Sequence, residues 1–153
     1  MDDARLVDLP LIHVLRRWYR GERPPAKAFF AHWRDLNAWA RAAGLETGVE
    51  GIAMIGYEPP GPPGLRDFVY SAGLPVAAGT PGADDSVEPG EVPGGRYVLC
   101  AGDLTELPEL YKAAKRFAVS QGLPFERGGI EIFRPDAANP ATYRVEAGCR
   151  IHD

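Results

Sequence analysis

The chain repeats itself, and that constrains its fold more than any other feature. Gly44-Leu45 is followed seven residues later by Gly51-Ile52, and Gly122-Leu123 is followed at the same interval by Gly129-Ile130, an offset of 78 at both points. Ala72-Gly73 returns as Ala147-Gly148 at an offset of 75, and Gly21 is answered by Gly102 at 81. Small insertions in the connections account for the drift. A duplicated unit changes how every residue is read, because each copy must bury an apolar face that it cannot cover alone. One domain over residues 1–153 is expected, with copies at about 4–76 and 92–152 and a connection over 77–91.

Each copy reads as strand, helix, strand, strand. Leu11 to Tyr19 is rich in strand formers, and Pro24-Pro25 offers the fixed φ of a helix start. Phe29, Trp33, Leu36, Ala40 and Ala43 then form one stripe of a 3.6-residue period, with Phe29 and Trp33 assigned to the helix-sheet core. Gly44 is the expected left-handed cap, followed by a strand over Gly51 to Tyr57. Glu58-Pro-Pro-Gly-Pro-Pro-Gly64 lacks ladder donors and reads as a hairpin connection, with Leu65 to Val76 as the third strand. In the second copy Gly95 to Cys100 is the first strand. Thr105 is the expected N-cap, and Leu107, Leu110, Tyr111, Ala114 and Phe117 form the helical stripe ending at Gly122. Ala77 to Gly95, rich in Gly, Pro and acid, reads as a solvated linker. The expected class is therefore α+β: two units about a pseudo-twofold axis, antiparallel sheets with helices on one face, and a central ligand cleft where the opposite faces converge.

Several functions are excluded early. Seventeen basic and 21 acidic residues leave a net charge of −4, which disfavours direct contact with nucleic acid. No apolar run approaches a membrane span, and Met1-Asp2-Asp3 lacks a signal-peptide start, so a cytoplasmic location is expected. Cys100 and Cys149 read as reduced, semi-buried strand residues. His13, His32 and His152 have no ligand-like spacing, and no P-loop, GxGxxG or GxSxG motif occurs, so neither metal nor cofactor is expected.

Glu131 breaks the pattern. It lies inside Gly129-Ile-Glu-Ile-Phe133, where the first copy has Ala53. Strand alternation puts Ile130 and Ile132 on one face and Glu131 with Phe133 on the other. If the isoleucines meet the helix, the carboxylate faces the cleft, where desolvation raises its pKa and an arriving cation becomes its partner. The alternative is an edge-strand charge reaching water to prevent sheet association. Trp18, Tyr57, Tyr70, Tyr111 and Phe133 are the aromatic candidates near it, and rings beside one carboxylate suit a flat cation.

Several pieces, in order, carry a family resemblance: Asp8-Leu-Pro, Ala72-Gly-Leu-Pro-Val76, Val92-Pro-Gly-Gly-Arg-Tyr97, Ala101-Gly102 and Ile130-Glu-Ile-Phe133. Across nearly its whole length the chain resembles the GyrI-like small-molecule-binding domain, also described as the bacterial transcription-activator effector-binding domain. The resemblance implies a duplicated fold that binds lipophilic cations and aromatic compounds around a buried glutamate, a role that falls on Glu131. Where the family's motif has tyrosine this chain has Phe133, without the hydroxyl. The resemblance also implies two other roles. One is hydrolysis of cyclopropane-containing natural products, with Glu131 as general base. The other is inhibition of DNA gyrase through protein contacts. The first strand begins near Met1 and the last ends at Ile151, so no helix-turn-helix is expected within these residues. The expected reading is a stand-alone binder of aromatic, cationic small molecules.

Overall fold

The computed structural model describes residues 1–21, 26–45, 51–57, 68–82, 87–135 and 143–152. Among them are strands β1 (Arg5–Leu9), β2 (Ile12–Gly21), β3 (Gly51–Tyr57), β4 (Phe68–Pro75), β5 (Glu88–Val92), β6 (Gly95–Asp103), β7 (Gly129–Pro135) and β8 (Tyr143–Arg150), with helices α1 (Ala26–Ala42) and α2 (Leu107–Ser120). Every pairing is antiparallel, and the order is β1-β6-β8-β7-β3-β4-β2-β5. The chain is α+β, as expected, and each copy contributes strand, helix, strand, strand: β2-α1-β3-β4 and β6-α2-β7-β8.

The copies meet at β3 and β7. There Gly51 pairs with Phe133, Ile52 with Ile132, Ala53 with Glu131 and Ile55 with Gly129. Replacing every residue by its counterpart at the offset of 78 turns the pair Gly51 and Phe133 into Gly129 and Ile55, which is also a pair. Ala53 and Glu131 are each other's counterparts and stand directly opposite one another.

The remaining strands cross over. β1 precedes β2 in sequence but pairs with β6, and β5 precedes β6 but pairs with β2. The linker expected over 77–91 is thus corrected in part, because Glu88–Val92 is a strand, and Val87 and Val92 are each only 1% exposed. The valines bury apolar area that a solvated linker would leave in water.

Both helices lie on one face. On α1, Leu36 and Ala40 pack against Leu15, Ala72 and Leu74. From α2, Leu107 and Leu110 pack with Cys100, Phe133, Val145 and Ala147, while Ala114 and Ala118 pack on Val98. The opposite face buries Val14, Val92, Tyr97, Leu99, Ile130 and Ile132, with Val7, Leu9 and Ile12 packed against them. Strands from both ends of the sheet supply that cluster, so the sheet curls around its own second face and needs no helix there. This corrects the expectation for β7: the isoleucines face away from the helices, and Glu131 with Phe133 lies beneath them.

Helix ends follow local chemistry. Gly44 and Gly122 adopt φ of 75° and 66°, the left-handed conformation expected after each helix. At the start of the second helical segment the cap is Asp103 rather than Thr105. A 3-10 turn, Leu104–Glu106, precedes α2, and the Asp103 carboxylate accepts the Thr105 N–H at 2.9 Å while Glu106 accepts the Asp103 N–H at 3.2 Å. This reciprocal box satisfies two donors that Thr105 alone would leave open, and Pro108 still falls in the first turn of α2. The Pro-rich hairpin at 58–64 lies outside the described residues.

Candidate functional site

One row of cross-strand partners on the helix-covered face frames the site. Read across β2, β4, β3, β7, β8 and β6, it runs Arg17, Ala72, Ala53, Glu131, Ala147, Cys100. Residues paired across neighbouring strands share a face, so the row is a line on the surface beneath α1 and α2. Alanines flank Glu131 on both sides. β7 has neighbours on both edges, which removes the edge-strand reading of this acid, and Glu131 is 0% exposed.

Rings gather on either side of the row. Phe133 lies two residues along β7 and packs in one cluster with Tyr70, Leu107, Leu110 and Val145, with Tyr19 and Tyr111 against it. Tyr111 comes down from α2 onto Gly129. A β-carbon there would stand 2.5 Å from the ring's Cε1 and 3.1 Å from its hydroxyl, so only glycine lets the ring lie on the strand this close to Glu131. Tyr19 stacks on Tyr70 at 4.9 Å and 17°, and His32 of α1 sits 3.8 Å from Tyr19 and 5.6 Å from Tyr70.

Electrostatics tie these groups together. Burial raises the Tyr70 hydroxyl above its usual range, and the neighbouring Tyr19 and Glu131 add to the rise. Burial lowers the His32 pKa; Asp35 opposes the shift and the Arg17 guanidinium adds to it. The imidazole therefore favours its neutral form near pH 7. The cysteines are free and buried, and burial pushes both thiols up, which leaves them protonated and inert.

Of the residues singled out from sequence, Glu131, Tyr70, Tyr111 and Phe133 come together. Trp18 does not. It lies on the other side of β2, 42% exposed, with its indole N–H donating to Glu88 at 2.6 Å and the Arg16 guanidinium 4.7 Å over the ring. Strand alternation decides this: Arg17 and Tyr19 turn toward the helices, so Trp18 between them cannot. Tyr57 belongs to β3, paired with Phe68, and its side chain lies outside the described residues, as do those of Phe29 and Trp33. Sequence reasoning missed Arg17, Tyr19 and His32. Their signal was present, since His32 precedes Leu36 and Ala40 at steps of four, and Arg17 and Tyr19 alternate with Leu15. Solvent touches Phe133 and Ala147 at no more than 1%, so no open channel reaches Glu131 among the described residues.

Among the described residues no three His, Cys, Asp or Glu side chains gather as a metal site, and no helix is long and apolar enough to cross a membrane. No family model matches the sequence, and no curated protein does either. Solved structures do match. The C-terminal domain of EcmrR superposes with a TM-score of 0.70 at 12% identity, covering 99% of this chain and 98% of that one. In the EcmrR-DNA complex the TM-score is 0.72 at 12% identity over 99% of this chain, which spans 57% of the EcmrR chain. SAV2435 bound to tetraphenylphosphonium matches with a TM-score of 0.58 at 11% identity, covering 98% of this chain and 94% of that one. A hydrolase from Listeria innocua matches with a TM-score of 0.60 at 12% identity, covering 98% and 92%. The chain has the GyrI-like fold.

Proposed function

We propose that this protein binds aromatic, cationic small molecules between its two copies, with Glu131 as counter-charge and Tyr70, Tyr111 and Phe133 as walls. The observation that carries the reading is Glu131 itself, an acid with no solvent exposure on the helix-covered face, on the strand that carries Phe133 and receives Tyr111 at Gly129, and near enough to Tyr70 for its charge to act there. Burying a carboxylate is costly, and a cation arriving with its own apolar rings offsets that cost while the aromatic faces add attraction. A neighbour of the same fold, SAV2435, is bound to tetraphenylphosphonium, which is such a cation. Because the carboxylate is sealed, binding requires the ring cover to shift, and the apparent affinity is reduced by the fraction of molecules that open.

The test compares tetraphenylphosphonium with uncharged triphenylphosphine oxide in calorimetry and thermal melts. At a hundredfold excess over Kd the cation should add about 2.7 kcal/mol of stability. Glu131→Gln should weaken the cation at least tenfold and the neutral compound less than threefold. Equal losses for both would refute the charge-based reading.

A second reading is favoured by Tyr70 and Tyr111, which bring two hydroxyls to the strand where Phe133 has none, and by a neighbour named as a hydrolase. Here Glu131 takes a proton from water as the oxygen attacks a strained ring carbon; the ring C–C bond at that carbon breaks, its electron pair passes into a conjugated carbonyl of the substrate, and the resulting enolate is then protonated. Mass spectrometry across ring-strained electrophiles should then reveal multiple turnover, falling by roughly 10²–10⁴ in Glu131→Gln. Substrates recovered unchanged would exclude it.

A further inference from the structure

Adjacent arginines on β2 meet different fates. Arg16 faces away from the helices and reaches the Glu88 carboxylate at 3.2 Å, with Trp18 beneath its guanidinium. Arg17 faces the helices, on the same row as Glu131, and its Nε is shut off from solvent without a hydrogen-bond acceptor among the described residues. Its charge reaches the imidazole of His32, which lies against Tyr19. Asp35 acts on that imidazole in the opposite sense. Between the two charges the row holds only Ala72 and Ala53. Strands lie about 4.8 Å apart, so three steps put about 14 Å between the Cα atoms of Arg17 and Glu131.

From this placement, and resting on the binding function just proposed, we infer that the ligand is not a simple cation but a zwitterion. Its cationic, aromatic part sits at Glu131 and an acidic group on the same molecule is held by Arg17. A guanidinium with an inward donor left open matches a carboxylate, sulfonate or phosphate. Alanine is the smallest side chain after glycine, so when the cover shifts the row between the two charges obstructs a flat skeleton least, and the Tyr19 and Tyr70 pair lies two residues along the same strands. Arg17 also makes selectivity: a cation without an acidic group gains nothing from it and feels its repulsion.

A xanthene dye offers the probe, as the carboxylate-bearing zwitterion rhodamine 110 and as its methyl ester rhodamine 123. The wild-type protein should bind the zwitterion at least tenfold more tightly than the ester. Arg17→Met, which keeps the stem and removes the charge, should abolish that preference and, by lifting the repulsion, improve ester affinity. Arg17→Lys should keep part of the preference, and melting curves for each variant report folding. Equal affinity for both dyes in the wild type, or equal weakening of both by Arg17→Met, overturns the inference. If the ester binds in a Glu131-dependent way without any gain from the carboxylate, this inference alone fails. If neither dye nor tetraphenylphosphonium binds, the binding function fails with it.

Discussion

The two halves of the central row differ at two positions and agree at a third. Ala72 in the first copy is answered by Ala147 in the second, so the spacing beside the seam is the same on both sides. Arg17, however, is answered across the sheet by Cys100, and Ala53 by Glu131. On the other face of the same seam Ile52 pairs with Ile132, and their counterparts Ile130 and Met54 pair with each other. Apolar residues recur in both copies on one face, and charge is placed unlike on the other. The difference teaches how a duplicated fold acquires a polar site. Two carboxylates at Ala53 and Glu131 would stand directly opposite on neighbouring strands, a destabilising arrangement. One acid from the second copy and one cation from the first avoid that repulsion, and on the binding function proposed above they would give a ligand a direction.

The largest expected effect tests whether the two faces are separable. Ile132→Ala removes buried methyl groups from the aliphatic face and should cost about 2–5 kcal/mol in urea denaturation. The affinity of the remaining folded protein for tetraphenylphosphonium should stay within about twofold, because Ile132 points away from the row. Affinity that falls in step with stability would mean the faces act as one.

Moving the acid across the seam sharpens the comparison. Glu131→Ala should lower affinity for tetraphenylphosphonium by about tenfold or more, some 1.4 kcal/mol per decade. Adding Ala53→Glu restores a carboxylate at the facing position in the register, and should recover most of that loss. Recovery in calorimetry would mean that the seam serves either copy equally. A double variant no better than Glu131→Ala would mean that the second copy's surroundings matter more than the row.

Much of this architecture was legible in the chain itself, for reasons that also explain what was not. Glycines at fixed offsets mark helix ends and strand starts, so β3, β7 and both helix ends could be read directly. Glu131 stood out because a single charge interrupts five otherwise uncharged residues. Which way it faces was not readable, because β7 is buried on both faces: Ile130 and Ile132 are as deep as Phe133. β2 hid its facing for the opposite reason. Val14, Arg16 and Trp18 on one side are as mixed as Leu15, Arg17 and Tyr19 on the other, so alternation could not tell Trp18 from Tyr19. The crossover of β1 and β5 was illegible because each pairs with the copy that does not contain it, a long-range choice made by Val92 and Val14 joining Tyr97 and Leu99 in one core.

The smallest effect is a pH dependence that probes the first copy's side of the row. Burial lowers the His32 pKa from its usual 6.5, so below that pH the unfolded chain binds a proton that the folded chain resists. The associated stability is complete above about pH 6.5 and is lost as the pH falls. Tyr19 and Tyr70 provide the burial, Arg17 strengthens the resistance and Asp35 weakens it. His32 keeps some solvent contact, so water screens the contribution and it is the smallest of these effects. Other groups titrate in the same range, so the readout is the difference between variants in the fall of Tm from pH 7.5 to 5.5. His32→Gln should flatten the slope, and Arg17→Met should flatten it less, by removing one like charge. If Arg17→Met leaves the slope unchanged while His32→Gln alters it, the guanidinium and the imidazole do not share one space, and the row loses the cation that gives it direction.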